Sequence, residues 1–400
     1  MKKSKYNYLI SQGDVYYIYN GFSGACVALS AEEYKEFQLL KYSEKNKQEF
    51  LRLGLILPDN VDETKLYLAM LETENIHSTK RFYRILTTTD CNARCFYCYE
   101  KGIPVQSMDD KTAKDVADFI IRRQRGIKKL FIQFFGGEPL CNIRAIDIIS
   151  EKLHNIGLSF LSSMTTNGFL INDSIAKKAK NNWNVQRVQI TLDGTKNVYE
   201  RIKGIDSPNA FERVIENIHS LSSVGIKVSI RLNYSERTKN DILALIDFLS
   251  TEYENDKNIS VYTYRLFDDK KSIATDEEIY TCLARNGFLR EKDKEFPDLV
   301  LNPCMARRAD SLVILPNGDL AKCSRGLQLK NGVIGSIYQK EELLNGWEEL
   351  NPVCIKCKHL PLCGGGCKCE EFMQKTFCSI NEKEINGKIL NLINTKEKNS

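Results

Sequence analysis

The sequence lacks any long apolar run. No stretch approaches the roughly 20 consecutive apolar residues that a membrane-spanning helix needs. The basic start of the chain, residues 1–8, is not followed by an apolar signal segment. We therefore expect a soluble protein that stays in the cytoplasm and has no membrane partner.

The sequence also lacks a large excess of either basic or acidic residues. The chain has 57 basic and 52 acidic residues, a formal net charge of +5, and its basic residues are spread out rather than gathered into one run with aromatics. A nucleic-acid groove requires such a run, so no nucleic-acid partner is expected. With 400 residues, 42% of them apolar, the chain can build two or three domains with real cores.

Histidine is scarce, with four residues, but cysteine is abundant, with fourteen. The cytoplasmic thiol pool keeps cysteines reduced, so their clustering indicates metal binding rather than disulfides. Cys26, Cys141 and Cys282 stand apart and are predicted to be small buried apolar residues. The other eleven form three clusters: Cys91, Cys95 and Cys98; Cys304 and Cys323; and Cys354, Cys357, Cys363, Cys367, Cys369 and Cys378.

Residues 1–80 are predicted to form a small N-terminal α+β module. Strand-like runs at 6–10 and 15–20 flank a short polar turn, which is a hairpin signal. Ser30 and Glu33 form a capping box ahead of a helical pattern, and a second helical pattern covers residues 50–55. Strands followed by short helices indicate a winged-helix-like module.

Residues 81–270 alternate predicted strands with amphipathic helices. The strands are 82–88, 130–135, 158–165, 186–192, 227–233 and 260–267, and the helices are 112–125, 143–156, 173–181, 210–224 and 240–250. Six β/α repeats predict an α/β fold, a partial (β/α)6 TIM-like barrel. Chemistry in such folds collects at the carboxyl ends of the strands.

The C-terminal part is predicted in three pieces. Residues 271–300 form a helical connector, and residues 301–385 are rich in Cys, Gly and Pro, with a hairpin-like pattern at 312–323. Such a segment buries little core, so metal must hold it together. The polar tail, residues 386–400, is predicted to fray.

Cys91, Cys95 and Cys98 form a CxxxCxxC triplet just after the first barrel strand. Three thiolates can hold an iron-sulfur cluster and leave one iron open for a small ligand. The alternative, a zinc knuckle, lacks a nearby histidine, since His77 is the closest.

Cys91, Cys95, Tyr97 and Cys98 resemble the signature of the radical S-adenosylmethionine family. Gly136, Gly137, Glu138 and Pro139 resemble the family motif after the second strand, whose Glu holds the methionyl ammonium through a charge-assisted hydrogen bond. The resemblance extends to Thr166, Asn167 and Gly168 after the third strand, and to Thr191, Leu192, Asp193 and Gly194 at the fourth.

The resemblance implies roles for further residues at this edge. It makes Thr191 a contact of the cofactor ribose, while Asp193 is either a cofactor contact or a structural turn residue. Arg231 and Asn233 would meet the carboxylate or ribose of S-adenosylmethionine. The implied chemistry is one-electron reduction of the cofactor, followed by hydrogen abstraction from the substrate by a 5'-deoxyadenosyl radical.

The C-terminal cysteines resemble the seven-cysteine SPASM domain, so that the resemblance covers about residues 82–380. It implies two auxiliary 4Fe-4S clusters beside the catalytic one. Cys304, Cys323 and Cys367 would hold the first auxiliary cluster, and Cys354, Cys357, Cys363 and Cys378 the second. Taken alone, Cys354, Cys357, Cys363 and Cys367 would equally suit a zinc ribbon.

One departure concerns the first auxiliary cluster. An extra cysteine that some relatives carry before the position of Cys304 is absent, which leaves an open iron or a ligand borrowed from Cys282 or Cys369.

The resemblance implies a peptide or protein substrate and an external one-electron reductant of the flavodoxin or ferredoxin type. The N-terminal module is similar to leader-binding modules, which capture a precursor peptide by β-augmentation, or else it is an ordinary subdomain. We expect a peptide maturase that installs a thioether or carbon–carbon cross-link.

Three alternatives stay open. A sulfatase-maturating enzyme would carry Asp as a base at Ser324, where a hydroxyl cannot replace it. An epimerase would need a thiol hydrogen donor such as Cys141. A non-enzymatic iron-sulfur electron carrier would have no use for the Gly136–Pro139 segment.

Overall fold

The structure is a computed structural model that describes residues 1–266, 273–289, 297–329, 332–339, 350–366 and 382–399. Contacts between Cα atoms divide these residues into two compact units. The first unit takes the described residues of 1–77, 291–309 and 346–400, and the second unit those of 78–290 and 310–345.

The elements are numbered along the whole chain. The strands are β1 (Lys2–Lys3), β2 (Asn7–Gln12), β3 (Val15–Asn20), β4 (Cys26–Leu29), β5 (Ile56–Leu57), β6 (Lys80–Thr88), β7 (Lys129–Gly136), β8 (Leu161–Thr166), β9 (Val185–Leu192), β10 (Lys227–Tyr234), β11 (Ile259–Arg265), β12 (Ser311–Ile314), β13 (Asp319–Ala321) and β14 (Val333–Ser336). The α-helices are α1 (Ala31–Leu39), α2 (Glu44–Arg52), α3 (Glu63–Ile76), α4 (Asp110–Arg122), α5 (Ile143–Asn155), α6 (Asp173–Asn181), α7 (Lys196–Lys203), α8 (Ala210–Ser223), α9 (Lys239–Glu252), α10 (Ile273–Arg285), α11 (Pro352–Lys356), α12 (Leu360–Cys363) and α13 (Glu382–Asn399). Short 3-10 helices cover Pro139–Asn142, Glu236–Thr238, Met305–Arg307 and Gly326–Gln328.

The second unit is built on one sheet in the order β11-β10-β9-β8-β7-β6-β12-β13-β14. Strands β6 to β11 are all parallel, so their carboxyl ends lie at the same edge. The predicted α/β fold with six barrel strands is confirmed. Among the described residues, no helix combines the length and the apolarity that crossing a bilayer would take.

Apolar side chains of the parallel strands and of the helices between them form one large core. Phe134, Trp183 and Ile190 are fully buried in it. Burying a side chain of this kind contributes about 1.5–3 kcal/mol. The helices start at polar caps, since Asp109, Asn142 and Asn172 each accept a hydrogen bond from the first turn of α4, α5 and α6. These helices therefore begin close to their predicted positions.

Two elements of the barrel region, residues 81–270, differ from the sequence prediction. Strand β8 begins at Leu161 rather than at residue 158, because Gly157 has a positive φ of 71° and Leu158 N–H closes the end of α5 on Leu153 C=O at 3.1 Å. Helix α7 was not predicted. Its end is marked by Gly204, a left-handed C-cap, which is the sequence signal that could have revealed it.

The hairpin predicted within residues 301–385 exists, but it extends the barrel sheet. Strand β12 pairs in parallel with β6 and antiparallel with β13. Phe82 N–H also donates to Asp310 C=O at 2.9 Å, which starts this pairing. Residues assigned from the sequence to the cysteine-rich region therefore complete the second unit.

The first unit contains the antiparallel sheet β2-β3-β4, together with the short pair β1–β5. The predicted hairpin is β2–β3, in register from Asn7 with Asn20 to Gln12 with Val15, and α1 begins at the predicted capping box of Ser30 and Glu33. Strand β4 and helix α3 were not predicted.

The end of the chain is helix α13 rather than a frayed tail. Ile389 and Ile393 on this helix are buried against Tyr8, Ile10 and Tyr17. This apolar contact stabilises the helix. The predicted tail from residue 386 was therefore wrong.

Candidate active site at the carboxyl edge of the parallel sheet

The loop that follows β6 carries Cys91, Cys95 and Cys98, so all three thiols lie at the carboxyl edge of the sheet. Cys91 and Cys95 are partly buried and Cys98 is exposed. Within the loop, Cys98 N–H donates to Cys95 C=O at 3.2 Å. We call residues 91–98 the triplet loop.

Gly136 and Gly137 are required by a close approach of two backbones. A Cβ atom on Gly136 would collide with the Thr88 carbonyl, and one on Gly137 with the Asp90 carbonyl. Without these Cβ atoms the two backbones come close enough to bond: Gly137 N–H donates to Thr88 C=O at 3.0 Å, and Glu138 N–H donates to Asp90 C=O at 2.7 Å. The two glycines thus bind the end of β7 to the residues that enter the triplet loop.

Glu138 is fully buried beside this contact. Its Oε1 accepts hydrogen bonds from the Thr166 hydroxyl at 2.7 Å and from Leu140 N–H at 3.1 Å, and its Oε2 accepts one from Asn167 N–H at 2.7 Å. Burial raises the pKa of Glu138 to about 6, against the opposing effect of these donors. Pro139 continues into the 3-10 helix, and its carbonyl accepts from Thr87 at 3.2 Å.

Asn167 links Glu138 to the triplet loop. Its Nδ2 donates to Asn92 Oδ1 at 2.7 Å and approaches Cys91 Sγ at 3.9 Å. Cys91 Sγ also accepts from Ala93 N–H at 3.4 Å. Burial raises the pKa of the Cys91 thiol to about 12, so binding a metal must supply the energy to remove its proton.

These residues fit the groups that the sequence implies. Three thiols on one loop are a donor set for an iron-sulfur cluster, and N–H donors directed at sulfur are among the features that tune such clusters. Glu138 accepts three hydrogen bonds, whereas a carboxylate has about four acceptor positions. One position therefore remains for an ammonium group.

Tyr97 and Asp193 belong to a buried polar network. Asp193 Oδ2 accepts from the Tyr97 hydroxyl at 2.7 Å and pairs with Lys203 Nζ at 2.8 Å. Asp193 Oδ1 accepts from Asn233 Nδ2 at 2.9 Å. Burial by itself would lower the pKa of Lys203, but the combined electrostatic effect of Asp193, Tyr97 and other nearby groups raises it well above its usual value. The polar atoms of Tyr97 and Asp193 are thus bonded within the protein, and their predicted cofactor contacts remain predictions.

Lys203 was missed by sequence reasoning because α7 was missed.

Thr191 and Arg231 lie side by side on β9 and β10. Arg231 Nε donates to Asn233 Oδ1 at 2.9 Å, and its guanidinium lies over the Tyr264 ring at 4.0 Å. Both residues are therefore near the same edge, where their predicted contacts with the cofactor remain untested.

The cysteines predicted as auxiliary ligands are only partly described. Cys304, Cys354, Cys357 and Cys363 lie in the first unit and Cys323 in the second, while Cys367, Cys369 and Cys378 lie outside the described residues. Within the described ranges, no three His, Cys, Asp or Glu side chains converge as ligands of a single metal ion.

A local pattern is shared by several predicted ligands. The N–H two residues further on donates to Sγ of Cys323 at 3.5 Å, of Cys357 at 3.4 Å and of Cys363 at 3.3 Å, as it does for Cys91. Cys282 differs, because its thiol is buried between α9 and α10, where it donates to Leu243 C=O and Asp247. This location does not favour Cys282 as a borrowed ligand.

The part of the chain that contains this site matches a known family. The model of the Radical SAM superfamily matches residues 85–249. A probable GTP 3',8-cyclase of Saccharolobus solfataricus is 33% identical over 162 residues, which are 39% of this chain and 48% of that protein. The chain spans about half the length, or less, of the curated relatives that it matches.

Two solved structures share the fold over most of the chain. A structure of anSMEcpe with bound AdoMet has a TM-score of 0.61 at 17% identity and covers 79% of this chain and 98% of its own. Streptococcus suis SuiB bound to S-adenosylmethionine has a TM-score of 0.51 at 18% identity, with 92% and 95% covered. The triplet loop, Glu138, Asn167 and Asp193 thus all lie within residues 85–249, the part of the chain that the Radical SAM superfamily model matches.

Proposed function

We propose that this chain is a radical S-adenosylmethionine enzyme that removes a hydrogen atom from a ribosomally synthesised peptide and installs a thioether or carbon–carbon cross-link. The observation that carries the proposal is the position of Cys91, Cys95 and Cys98 on one loop at the carboxyl edge of the sheet, linked through Asn167 to the buried Glu138. Folds built on parallel β/α repeats place their chemistry at the carboxyl ends of the strands.

The residues divide the work as follows. Cys91, Cys95 and Cys98 would hold the catalytic 4Fe-4S cluster, and Glu138 would take the ammonium of S-adenosylmethionine at its remaining acceptor position. Arg231 lies at the same edge, and its contacts within the described residues are an amide oxygen and an aromatic ring, so its charge suits the cofactor carboxylate. When bound, the cluster and S-adenosylmethionine would together supply a carbon radical that takes a hydrogen atom from the substrate.

Two auxiliary 4Fe-4S clusters complete the proposal. Cys304, Cys323 and Cys367 would hold one, and Cys354, Cys357, Cys363 and Cys378 the other. Support comes from the N–H donors to Sγ at Cys323, Cys357 and Cys363, which repeat the environment of Cys91. Amide donors stabilise the thiolate form that a cluster requires. An external reductant of the flavodoxin or ferredoxin type would supply the electrons.

A peptide substrate is supported by the proteins that share the fold. SuiB has been solved with its precursor peptide SuiA, and anSMEcpe with the peptide Cp18Cys. In this chain, β2 and β4 are the outer strands of the three-stranded sheet of the N-terminal module. An outer strand can pair with an extended leader peptide by β-augmentation. The GTP 3',8-cyclase likeness covers less than half of the chain and gives no argument for a nucleotide substrate.

Sulfatase maturation is the less favoured reading. The Ser324 hydroxyl accepts a hydrogen bond from the Arg84 guanidinium. A hydroxyl bonded to a cation is a hydrogen-bond acceptor there, not a carboxylate base that can remove a proton. An oxidation to an aldehyde that needs a base at this position is therefore not supported by the residue present.

Peptide epimerisation is the second candidate, and Cys141 is the observation in its favour. This residue lies three residues after Glu138 and is exposed, so its predicted burial was wrong, and partial desolvation of the thiol raises its pKa to about 11. The thiol therefore keeps its hydrogen at neutral pH, as a hydrogen-atom donor must. A Cys141→Ser variant separates the two candidates, since a cross-linking enzyme retains its product and an epimerase loses it.

The test uses the full chain, reconstituted anaerobically with iron and sulfide and then reduced. We expect S-adenosylmethionine to be cleaved to 5'-deoxyadenosine, and a precursor peptide encoded beside the gene to lose hydrogen mass on cross-linking. Incorporation of solvent deuterium at unchanged connectivity would instead establish epimerisation. A chain that carries its clusters but never cleaves the cofactor would be an electron carrier, and the proposal would be wrong.

A further inference from the structure

A buried ion pair lies beside the triplet loop and has no part in the binding roles proposed above. Lys203 is the last residue of α7, and Asp193 directly follows β9. Their charged atoms are 2.8 Å apart, and their side chains are only 4% and 1% exposed. Among the ion pairs of the described residues, none is more deeply buried.

Lys203 contacts the triplet loop on both sides of Cys95. Before Cys95, Arg94 N–H donates to the Lys203 carbonyl at 2.6 Å. After Cys95, the Tyr97 hydroxyl donates to Asp193 at 2.7 Å and accepts from Lys203 Nζ at 3.5 Å. The stretch that contains Cys95 and Phe96 is therefore anchored at both ends to the last turn of α7.

Stability alone is a poor reason for such a pair. Removing two charges from water costs about as much as their attraction returns, so a buried ion pair seldom adds net stability over apolar residues of the same size. The second unit also forms ordinary lysine pairs near its surface, such as Lys178 with Asp147, whose side chains are 37% and 26% exposed. The buried pair instead fixes one arrangement of the groups that it bonds.

We propose that Lys203 is a positioning residue for the triplet loop. Through its carbonyl it holds Arg94, and through its ammonium and Asp193 it holds Tyr97, so that the backbone that carries Cys95 keeps one arrangement. Asn233 on β10 also holds the Asp193 carboxylate, because its Nδ2 donates a hydrogen bond to Asp193 Oδ1 at 2.9 Å. Only the identity of the group that the thiols bind rests on the proposed function; the ordering of the loop does not.

The first experiment measures hydrogen exchange in the cluster-free full chain. In Lys203→Met, the amides of residues 92–99 should exchange about ten-fold faster than in the natural chain, because the loop loses its anchor and opens locally. Lys203→Arg keeps a cation and should restore most of the protection. Lys178→Met, which breaks a partly exposed pair in the same unit, is the matched control and should leave the loop unchanged.

The second readout is spectroscopic and uses the reconstituted chain. S-adenosylmethionine should change the electron paramagnetic resonance spectrum of the reduced natural chain and of Lys203→Arg, but not of Lys203→Met. A role limited to global stability would leave this change intact in any variant that folds. If the natural chain itself showed no change, the proposed function would fail, whereas the exchange experiment would still decide the role of Lys203.

Equal exchange of residues 92–99 in Lys203→Met and Lys178→Met would overturn the proposal. Should Lys203→Met fail to fold, Tyr97→Phe provides the decision, because it removes one hydroxyl and leaves the ion pair in place. Faster exchange confined to the triplet loop in Tyr97→Phe would support the anchor. Unchanged exchange there would refute it.

Discussion

The triplet loop and the cysteine segment of residues 354–363 present thiols in different ways. The triplet loop is held by neighbouring elements of the second unit: Gly137 and Glu138 bond the residues before it, Asn167 bonds Asn92, and Lys203 bonds Arg94. The cysteine segment contains the last three residues of the five-residue helix α11 and all of the four-residue helix α12, and it is followed by glycines 364–366 with positive φ angles of 60°, 83° and 70°.

The difference separates a site organised by its fold from one organised by its ligand. Helices of one turn are not stable alone, and consecutive left-handed residues favour glycine at an entropic cost. Metal binding to such a segment is part of its folding energy. The triplet loop, in contrast, has protein partners that do not depend on metal, so its shape should persist without iron.

The largest expected effect comes from removing one thiol in each region. Cys95→Ala should reduce S-adenosylmethionine cleavage to background, because two thiolates cannot hold the catalytic cluster. Cys357→Ala should change cleavage by less than about three-fold, since sites that share no partners act independently, but it should abolish peptide modification. Formation of 5'-deoxyadenosine and of modified peptide measures both. Equal loss of cleavage in the two variants would remove the distinction.

Removing iron tests the contrast directly. After chelation, amides of residues 354–366 should exchange about a hundred-fold faster, while those of β6 to β10 should stay within about three-fold of the holoprotein. The fluorescence of Trp183, which is fully buried and donates to Asp147 at 2.7 Å, should remain that of a folded second unit. Loss of protection throughout β6 to β10 would mean that the barrel also depends on its metal.

The pH dependence of the cluster-free chain sharpens the account of Glu138. Its pKa is raised from 4.5 to about 6 in the folded state, so the folded state binds the proton more tightly than the unfolded state. The associated stability is present below pH 4.5 and is lost as the pH rises through 6, by about 2 kcal/mol in total.

Glu138→Gln should remove this part of the pH dependence. Urea unfolding of both chains at pH 4 and pH 7, followed by tryptophan fluorescence, gives the free energy of unfolding of each chain at each pH. The change between the two pH values is then compared between the chains. A natural chain whose free energy of unfolding relative to Glu138→Gln rises with pH would contradict the raised pKa.

The smallest effect concerns the contact between the N-terminal sheet and the cysteine segment within the first unit. The Tyr8 hydroxyl bonds His359 Nδ1 at 2.7 Å, and His359 N–H in turn donates to Cys357 Sγ. Tyr8→Phe should cost about 1 kcal/mol, the usual net value of one hydrogen bond. Tyr34→Phe is the matched control, because Tyr34 stacks on Tyr16 through its ring at 4.2 Å. Urea unfolding of the first unit should distinguish the two.

Periodicity and spacing predicted the barrel strands, five helix starts to within two residues, and the three thiols of the triplet loop. They succeeded because parallel strands and caps are local patterns. The Gly136–Gly137 turn was identified by resemblance, whereas its physical cause, a close approach to the Thr88 and Asp90 carbonyls, needed the structure. The role of Glu138 toward Thr166 and Asn167 is likewise non-local.

Three failures have the same origin. The pairing of β12 with β6 joins residues far apart in sequence, and no local pattern contains that information. In the sequence, Lys203 looks like an ordinary solvent-exposed lysine at the end of a helix. Only the structure shows that it is buried and paired with Asp193. The helix at the end of the chain was missed because its few apolar residues, such as Ile389, depend on a sheet near the other terminus.

The pairing of Ser311 with Phe82 also has a consequence for synthesis on the ribosome. Strand β6 emerges early and can soon pair with β7 on one side. Its partner on the other side, β12, is made only after more than half of the chain that follows β6. Until then β6 presents unpaired N–H and C=O groups, the kind of edge through which nascent chains associate wrongly. A chain truncated before residue 310 should therefore aggregate. For the full chain, the rate of translation between β6 and β12, or a chaperone that acts during that time, should affect the yield of folded protein.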